Sequence, residues 1–364
     1  MGKRIGNIVL RVLIVILVTV VMLVGTLYLM IFKFKNGPSE SAKNMFITTI
    51  METGQLKFVA SLVCTPEEIA EIVGANAMQE MEADVDTSLI SMSGNTAETS
   101  AGEYTETEVF DENGIRMVEI SGRSFFAKML IVKDPSQVKV GTTYNGGWGT
   151  YGKELDEIVS DAGAIAGING GIYVSTGNTG GQPMGVVVQD GQITYNAPYD
   201  ANGMYMIGFN NENILIVKDI NGMSASEFSA YVESDGIRDA VAFQDEASDA
   251  DNHFVPLIIN GEPRQLDGQG SGANPRTVIG QRSDGAVLLL VTDGRGTSGH
   301  LGATASDLIG IMQEYGAVNA ANLDGGSSST MVYNGNWEMT SVTFYYQNSS
   351  WKLPTAFVVM PAGN

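Results

Sequence analysis

The sequence predicts an α+β (mixed α/β) domain built on a mixed, largely antiparallel β-sheet core with flanking helices. Three observations predict it. Short strand patterns follow one another from about residue 108. Asp-Gly pairs fall between them as hairpin turns, and two helix patterns interrupt the series. Regular β–α–β alternation is absent, which argues against a dinucleotide-binding fold or a β/α barrel.

Taken in order, residues 12–32, VLIVILVTVVMLVGTLYLMIF, carry no charge and would make a helix of roughly 30 Å, enough to cross a hydrocarbon core. Lys3, Arg4 and Arg11 precede the span, and Lys33 and Lys35 follow it, a modest bias toward an inside N-terminus. Residues 1–35 therefore read first as an uncleaved anchor and second as a cleaved signal, since the apolar run outlasts a usual signal core. The lipid bilayer is the expected partner of residues 12–32. The rest of the chain is expected outside the cytoplasm, membrane-held or secreted according to that choice.

Residues 36–107 read as a membrane-proximal stem and linker with one short helix. Thr65 caps it, Pro66 suits its first position and Glu68 completes a capping box. The main domain is expected over 108–364. Its strand signals are IRMVEI, FFAKMLIVKD, MGVVVQDGQIT, NILIVKD, VPLIINGEPR and TVIGQRSDGAVLLLVTDG, with hairpin turns at Asp190-Gly191 and Asp284-Gly285. Helices are expected around 153–162 and 304–315, the second with Leu308, Ile309, Met312 and Tyr315 on one apolar face.

Charge narrows the function classes. From residue 44 onward, 14 Lys+Arg stand against 40 Asp+Glu, a surface that repels nucleic acid. Cys64 is the only cysteine and the chain has two histidines, so an intramolecular disulfide is impossible and a Cys/His zinc site is excluded in practice. Cys64 reads as a small buried hydrophobe.

Four segments carry candidate chemistry. In GINGGIY, Asn169 either orients a ligand through its amide or caps its own turn, with Gly170 and Gly171 beside it. In GSGANPRTVIGQ, Arg276 follows a Gly-rich approach in an acidic chain, where a guanidinium fork suits an anionic oxygen pair; a salt bridge is the alternative. Thr277 adds a hydroxyl. In VTDGRGTSGHLGATASDLIGIM, Asp293 ends a strand, and Arg295 and His300 precede a helix whose N-terminal amides would suit an anion. In NLDGGSSSTM, Asp324 precedes Gly325, Gly326, Ser327 and Ser328, either as a cradle presenting a carboxylate or as a solvent turn. The two helix patterns also lead into related endings, GAIAGINGG and GAVNAANLDGG, so Asn169 and Asp324 are expected to approach one cleft from related strand ends. No cofactor is required. Asp245, Glu246, Asp249 and Asp251 form an acidic loop that reads as solvated or as a Ca2+ site.

The ordered set AGINGG, NPRTVIGQ, VTDGR and NAANLDGGSSSTMVYNG resembles the phosphodiester glycosidase family, over about 108–362. That resemblance implies hydrolysis of a sugar-1-phosphodiester, with a cleft for sugar and phosphate. It maps onto Asn169 with Gly170 and Gly171, Arg276 with Thr277, Asp293, and Asp324 with the residues through Ser328. The chain departs from the family pattern at Ile172-Tyr173, at Lys352 and in the acidic loop 245–252. The expected function is extracytoplasmic release of a sugar from a phosphate monoester in an envelope or exopolysaccharide glycan. Asp324 is first choice for activating water and Asp293 second, Arg276 and His300 would stabilise phosphate, and Arg295 would bind substrate. The competing class is an anchored, non-catalytic binding or assembly protein for anionic envelope glycans.

Overall fold

The run AVLLLVT, apolar without a break, becomes the strand Val287–Thr292, buried on both faces. Val287, Leu289 and Val291 enter one core while Leu288 and Leu290 enter another, which removes the polar alternation of a half-exposed strand. The computed structural model describes residues 2–53, 56–91, 108–174, 176–245, 253–343 and 347–363. The chain divides into two units, Met1–Gly74 and Ala75–Asn364.

The first unit is helical: Gly2–Lys35, Glu40–Met51, Lys57–Ser61 and Pro66–Gly74. Gly6–Lys33 is long and apolar enough, by length and composition, to cross a membrane. The expected box at Thr65 forms, with the Thr65 amide donating to Glu68 at 2.8 Å and the Glu68 amide to the Thr65 hydroxyl at 3.2 Å. Cys64 is buried with Ile47, Ile50 and Ile72, the small-hydrophobe role expected of it.

The second unit holds three main sheets. A seven-stranded sheet runs, in spatial order, Ile115–Ser121, Phe126–Val132, Val287–Thr292, Thr277–Arg282, Ala317–Asn322, Pro256–Ile259 and Glu262–Pro263. The second runs Leu215–Asp219, Met204–Asn210, Ile237–Gln244, Gly185–Gln189, Gln192–Ala197. The third runs Asn336–Met339, Met331–Tyr333, Ala166–Asn169, Thr355–Val359, Val138–Thr142. Every strand pairing among the described residues is antiparallel. The Asp190-Gly191 hairpin has φ of 47° and 76°, the paired left-handed torsions of a type I′ turn.

One core, with Leu130, Ile279, Leu289, Ile168, Phe357, Ile207 and Val241, joins residues of all three sheets. On its far face the seven-stranded sheet is covered by the helix Ala305–Glu314, through Leu308, Ile309 and Met312. Leu155–Asp161 covers the third sheet, and Ala225–Ser234 covers the second. The two expected helices are thus present. The third was not anticipated, although Ser224 and Glu227 form a capping box ahead of buried Phe228 and Val232. Residues 75–91, assigned to the stem by sequence, belong to the second unit: Met78 bridges Leu266, and Ala83 and Ile90 enter its cores.

Gly170 and Gly171 prolong the pairing within the third sheet beyond Asn169, and Gly171 also packs closely against the second sheet. The Gly170 amide donates to the Thr355 carbonyl at 3.1 Å and that of Gly171 to the Thr355 hydroxyl at 3.2 Å. A Cβ on Gly171 would lie 2.3 Å from the Ala242 carbonyl oxygen, a backbone atom of the second sheet that cannot swing aside. Gly171→Ala is expected to destabilise the domain by about 2–3 kcal/mol, read as a lower urea midpoint at unchanged m-value.

Candidate active site

The seven-stranded sheet orders the candidate residues. Strands Val287–Thr292, Thr277–Arg282 and Ala317–Asn322 are consecutive neighbours. Thr277 pairs with Val291, and Val278 with Asn322. Asp293 follows the first strand, Arg276 precedes the second and Asp324 lies just beyond the third, so all three leave one sheet edge. Adjacent strands lie about 4.8 Å apart, which sets the two acids roughly two strand spacings from one another with Arg276 between.

Asn169 ends its strand in the third sheet and reaches this edge across the core. It is fully buried. Its Nδ2 donates to the Asp324 carbonyl at 2.6 Å, while its Oδ1 accepts from the Thr277 hydroxyl at 2.7 Å and the Thr330 amide at 3.3 Å. The two Gly-Gly strand ends therefore meet, as their shared pattern predicts. Asn169 is a clamp across sheets rather than a local turn cap.

Asp324 is held by its own turn. Its Oδ1 accepts the Gly325 amide at 2.9 Å. Burial pushes its carboxyl up to about 6, against the Ser328 hydroxyl, the charge of His253, the Gly325 amide and the charge of Arg295, all of which favour the anion. Desolvation wins because a carboxylate loses more hydration here than a few donors restore. The Tyr173 hydroxyl stands 3.0 Å from the Ser328 hydroxyl, making a Tyr173–Ser328–Asp324 chain. Burial, then the charge of Asp324, push the Tyr173 phenol up. Tyr173 is therefore neutral.

Asp293 and His300 form a pair. His300 Nδ1 lies 2.7 Å from Asp293 Oδ2, and Asp293 Oδ1 accepts the Phe126 amide at 2.7 Å. Both carboxylate oxygens are engaged, so Asp293 suits orienting an imidazole better than attacking a sugar carbon. His300 is the more accessible partner, its side chain 30% exposed against 10% for Asp293.

The arginines divide differently from the sequence expectation. Arg276 is buried; its Nη2 donates to the Ser271 hydroxyl at 3.3 Å and the Gly272 carbonyl at 3.1 Å, and its guanidinium covers the Phe254 ring at 4.8 Å. It braces the edge from within, with Nη2 committed to these two acceptors. Arg295 is exposed, and its Nη1 donates to the Ser327 hydroxyl at 3.1 Å. The guanidinium lies close over Gly326, where a Cβ would meet Arg295 Nη2 at 2.7 Å, and Gly326 itself has φ of 61°. Gly325 packs similarly against the Pro275 carbonyl.

The anion-binding expectation for the helix changes. The helix Ala305–Glu314 has no open N-terminus: Asp307 accepts the Thr304 amide, Ser271 that of Ala305, Gln269 that of Ser306, and Thr304 that of Asp307. Gly170 and Gly171 direct their amides to Thr355, so they shape the site floor by close packing. The acidic loop is also altered. Asp245 forms an ion pair with buried Arg264 and accepts the Val255 amide. Glu246, Asp249 and Asp251 lie outside the described residues, and no His/Cys/Asp/Glu group suited to a metal occurs among the described ones.

His253, Tyr173 and Thr330 were not singled out for the site by sequence. His253 sits at the end of a loop read only for its acids, and Tyr173 stood out only as a departure from a family pattern.

A half-buried carboxylate of raised pKa, a carboxylate–imidazole pair and an exposed guanidinium on converging strand ends make a candidate hydrolase site. Residues 162–360, over half of the chain, match the family model for phosphodiester glycosidases, and the chain belongs to that family. Hydrolytic enzyme chemistry of the glycosidase type follows from that membership. Among solved structures, the catalytic domain of zebrafish N-acetylglucosamine-1-phosphodiester alpha-N-acetylglucosaminidase, auto-inhibited by its pro-peptide, is similar at 20% identity and a TM-score of 0.51, covering 71% of this chain and 86% of that one. At that identity the likeness speaks for the fold alone. A Burkholderia pseudomallei protein described as exported aligns at 15% identity and TM-score 0.41, over 65% of this chain and 74% of that one. The SPbeta prophage-derived protein YomE of Bacillus subtilis is 41% identical over 64 residues, 18% of this chain, and the match spans only 10% of that protein.

Proposed function

We propose that this chain is a membrane-anchored phosphodiester glycosidase that hydrolyses a sugar-1-phosphodiester of an envelope or exopolysaccharide glycan outside the cytoplasm. The observation that carries the reading is the Asn169–Asp324 clamp beside Arg295, Ser327 and the Asp293–His300 pair.

The bond broken is sugar C1–O. Water adds to C1, its proton passes to Asp324, and the bridging oxygen leaves with the phosphate monoester. That leaving group holds negative charge well, so a full proton donor is not needed. Asp324 suits the base role because burial lifts its carboxyl to about 6, closer to neutrality than an exposed aspartate. Its charge also stabilises the positive character that develops at C1. Arg295 and the Ser327 hydroxyl meet phosphate oxygens, and His300, aligned by Asp293, stabilises the departing oxygen. Arg276 and Asn169 hold the strand ends that carry these groups.

The reading is tested on a panel of hexose-1-phosphodiesters with product analysis. Free sugar and phosphate monoester in equal amounts are expected; tight binding of every panel member without turnover would overturn it in favour of a glycan-binding protein. Arg295→Ala is expected to raise KM by about tenfold through loss of one charge-assisted contact, with kcat less affected and the unfolding midpoint unchanged.

A further inference from the structure

We infer that Tyr144, Trp148 and Tyr195 form a sugar-stacking subsite for the polymer side of the substrate, an inference that rests on the phosphodiester glycosidase reading. The Tyr144 and Trp148 rings lie 5.4 Å apart at 55°, and Trp148 and Tyr195 lie 6.5 Å apart at 89°. Tyr144 is exposed and the other two rings are half-buried, each packed against the main core. The Trp148 indole N–H donates to the Thr194 carbonyl at 2.9 Å and the Tyr195 hydroxyl to Asp200 at 3.0 Å. These bonds fix both rings before any ligand arrives, lowering the ordering cost of binding.

Position supports a link to the active site. Thr142 ends a strand of the third sheet and pairs with Thr355; the adjacent Ala356 pairs with Asn169. The aromatic loop therefore leaves the same sheet edge as Asn169, about two strand spacings away. The far rim also joins the site through Tyr173, whose strand pairs Tyr173 with Pro183 and Val174 with Gln182, while Gln182 Nε2 donates to the Trp148 carbonyl at 3.4 Å.

The chemistry selects the occupant. A hexopyranose presents an apolar C–H face that fits an aromatic ring, and hydroxyls that suit the flanking Asp200 and Gln182. An anionic polymer backbone would be repelled by this chain's acidic surface, so the gripped portion is uncharged sugar with the phosphodiester displaced toward Arg295.

The test compares two probes that share one scissile group: a hexose-1-phosphate esterified to methanol, and the same hexose-1-phosphate esterified to maltotetraose. For Trp148→Ala, KM on the tetrasaccharide ester should rise about tenfold, with the methyl ester changed less than about twofold. Tyr144→Ala, at an exposed position that leaves folding intact, should shift KM in the same direction by about threefold. Equal effects on both probes, or none on the tetrasaccharide ester, would overturn the subsite. If the unaltered protein turns over neither probe, calorimetric titration with the tetrasaccharide ester decides separately: weaker binding by Trp148→Ala and Tyr144→Ala supports the subsite without the hydrolase, and unchanged binding overturns it.

Discussion

Asp324→Asn is expected to lower turnover of a sugar-1-phosphodiester by roughly 10³-fold or more, while the domain still folds. The amide keeps the side chain's shape and an acceptor for the Gly325 amide; it removes the charge and the proton-accepting capacity, and puts an NH2 donor in place of one carboxylate oxygen. In the unaltered enzyme, kcat/KM should rise with pH through about 6 as Asp324 ionises, then level off. A fall through that pH would assign proton donation instead of acceptance. The same burial predicts an opposite effect on stability. An unfolded aspartate titrates near ~3.9, and the folded one near about 6. Between those values the native state holds a proton that the unfolded state has released, so stability is lost as pH rises across that window and stays lost above it. Asp324→Asn should therefore be more stable than the parent at neutral pH, by about 1–3 kcal/mol, and equal to it near pH ~3. Thermal melts across that range check the crossover; a destabilised variant at neutral pH would contradict desolvation as the dominant influence on Asp324.

Asn169→Leu should produce the second large effect, in stability and activity together. Asn169 makes two buried bonds, to the Thr277 hydroxyl and the Thr330 amide, and a partly buried one to the Asp324 carbonyl. Leucine fills a similar volume and satisfies none of them. Thr277 keeps Ser329 at 3.2 Å, but the Asp324 carbonyl and the Thr330 amide lose their Asn169 partner, at a cost of about 2–4 kcal/mol. Loss of the clamp also frees the Asp324 turn, so turnover should fall by about 10²-fold. Asn169→Asp separates position from packing: it keeps the acceptor, removes the donor and sets a second acid near Asp324. Its acidic limb should move to higher pH as like charge opposes ionisation. Urea unfolding with parallel kinetics reads both outcomes, and a variant with parental stability would remove the clamp from the account.

The site's outline was legible where local chemistry dictated it. Asp190-Gly191 marked a hairpin because only such pairs adopt two consecutive positive φ values at low cost. Asn169 and Asp324 were legible as partners because each follows a helix and a small-residue strand and precedes two glycines, and those strand ends do meet. The Asp293–His300 pair lay within one short segment, although which of the two faces outward did not. What stayed hidden depends on distant contacts. Arg276 reads as a fork for an anionic ligand or as a salt-bridge partner, but its guanidinium also lies over the Phe254 ring, which comes from a distant loop. The helix after Thr304 reads as open to an anion, but Ser271 and Gln269 fill its amides from elsewhere in the chain. Ala225–Ser234 carried its own capping signal and was masked by the strand-rich stretch around it.

In the proposed reaction the sugar C1–O bond breaks, with Asp324 directing the water. Hydrolysis of a hexose-1-phosphodiester in 18O-enriched water, followed by mass spectrometry of both products, tests it most directly. The label is expected on the anomeric hydroxyl of the released sugar and absent from the phosphate monoester. Label in the phosphate would mean attack at phosphorus, and would contradict the account.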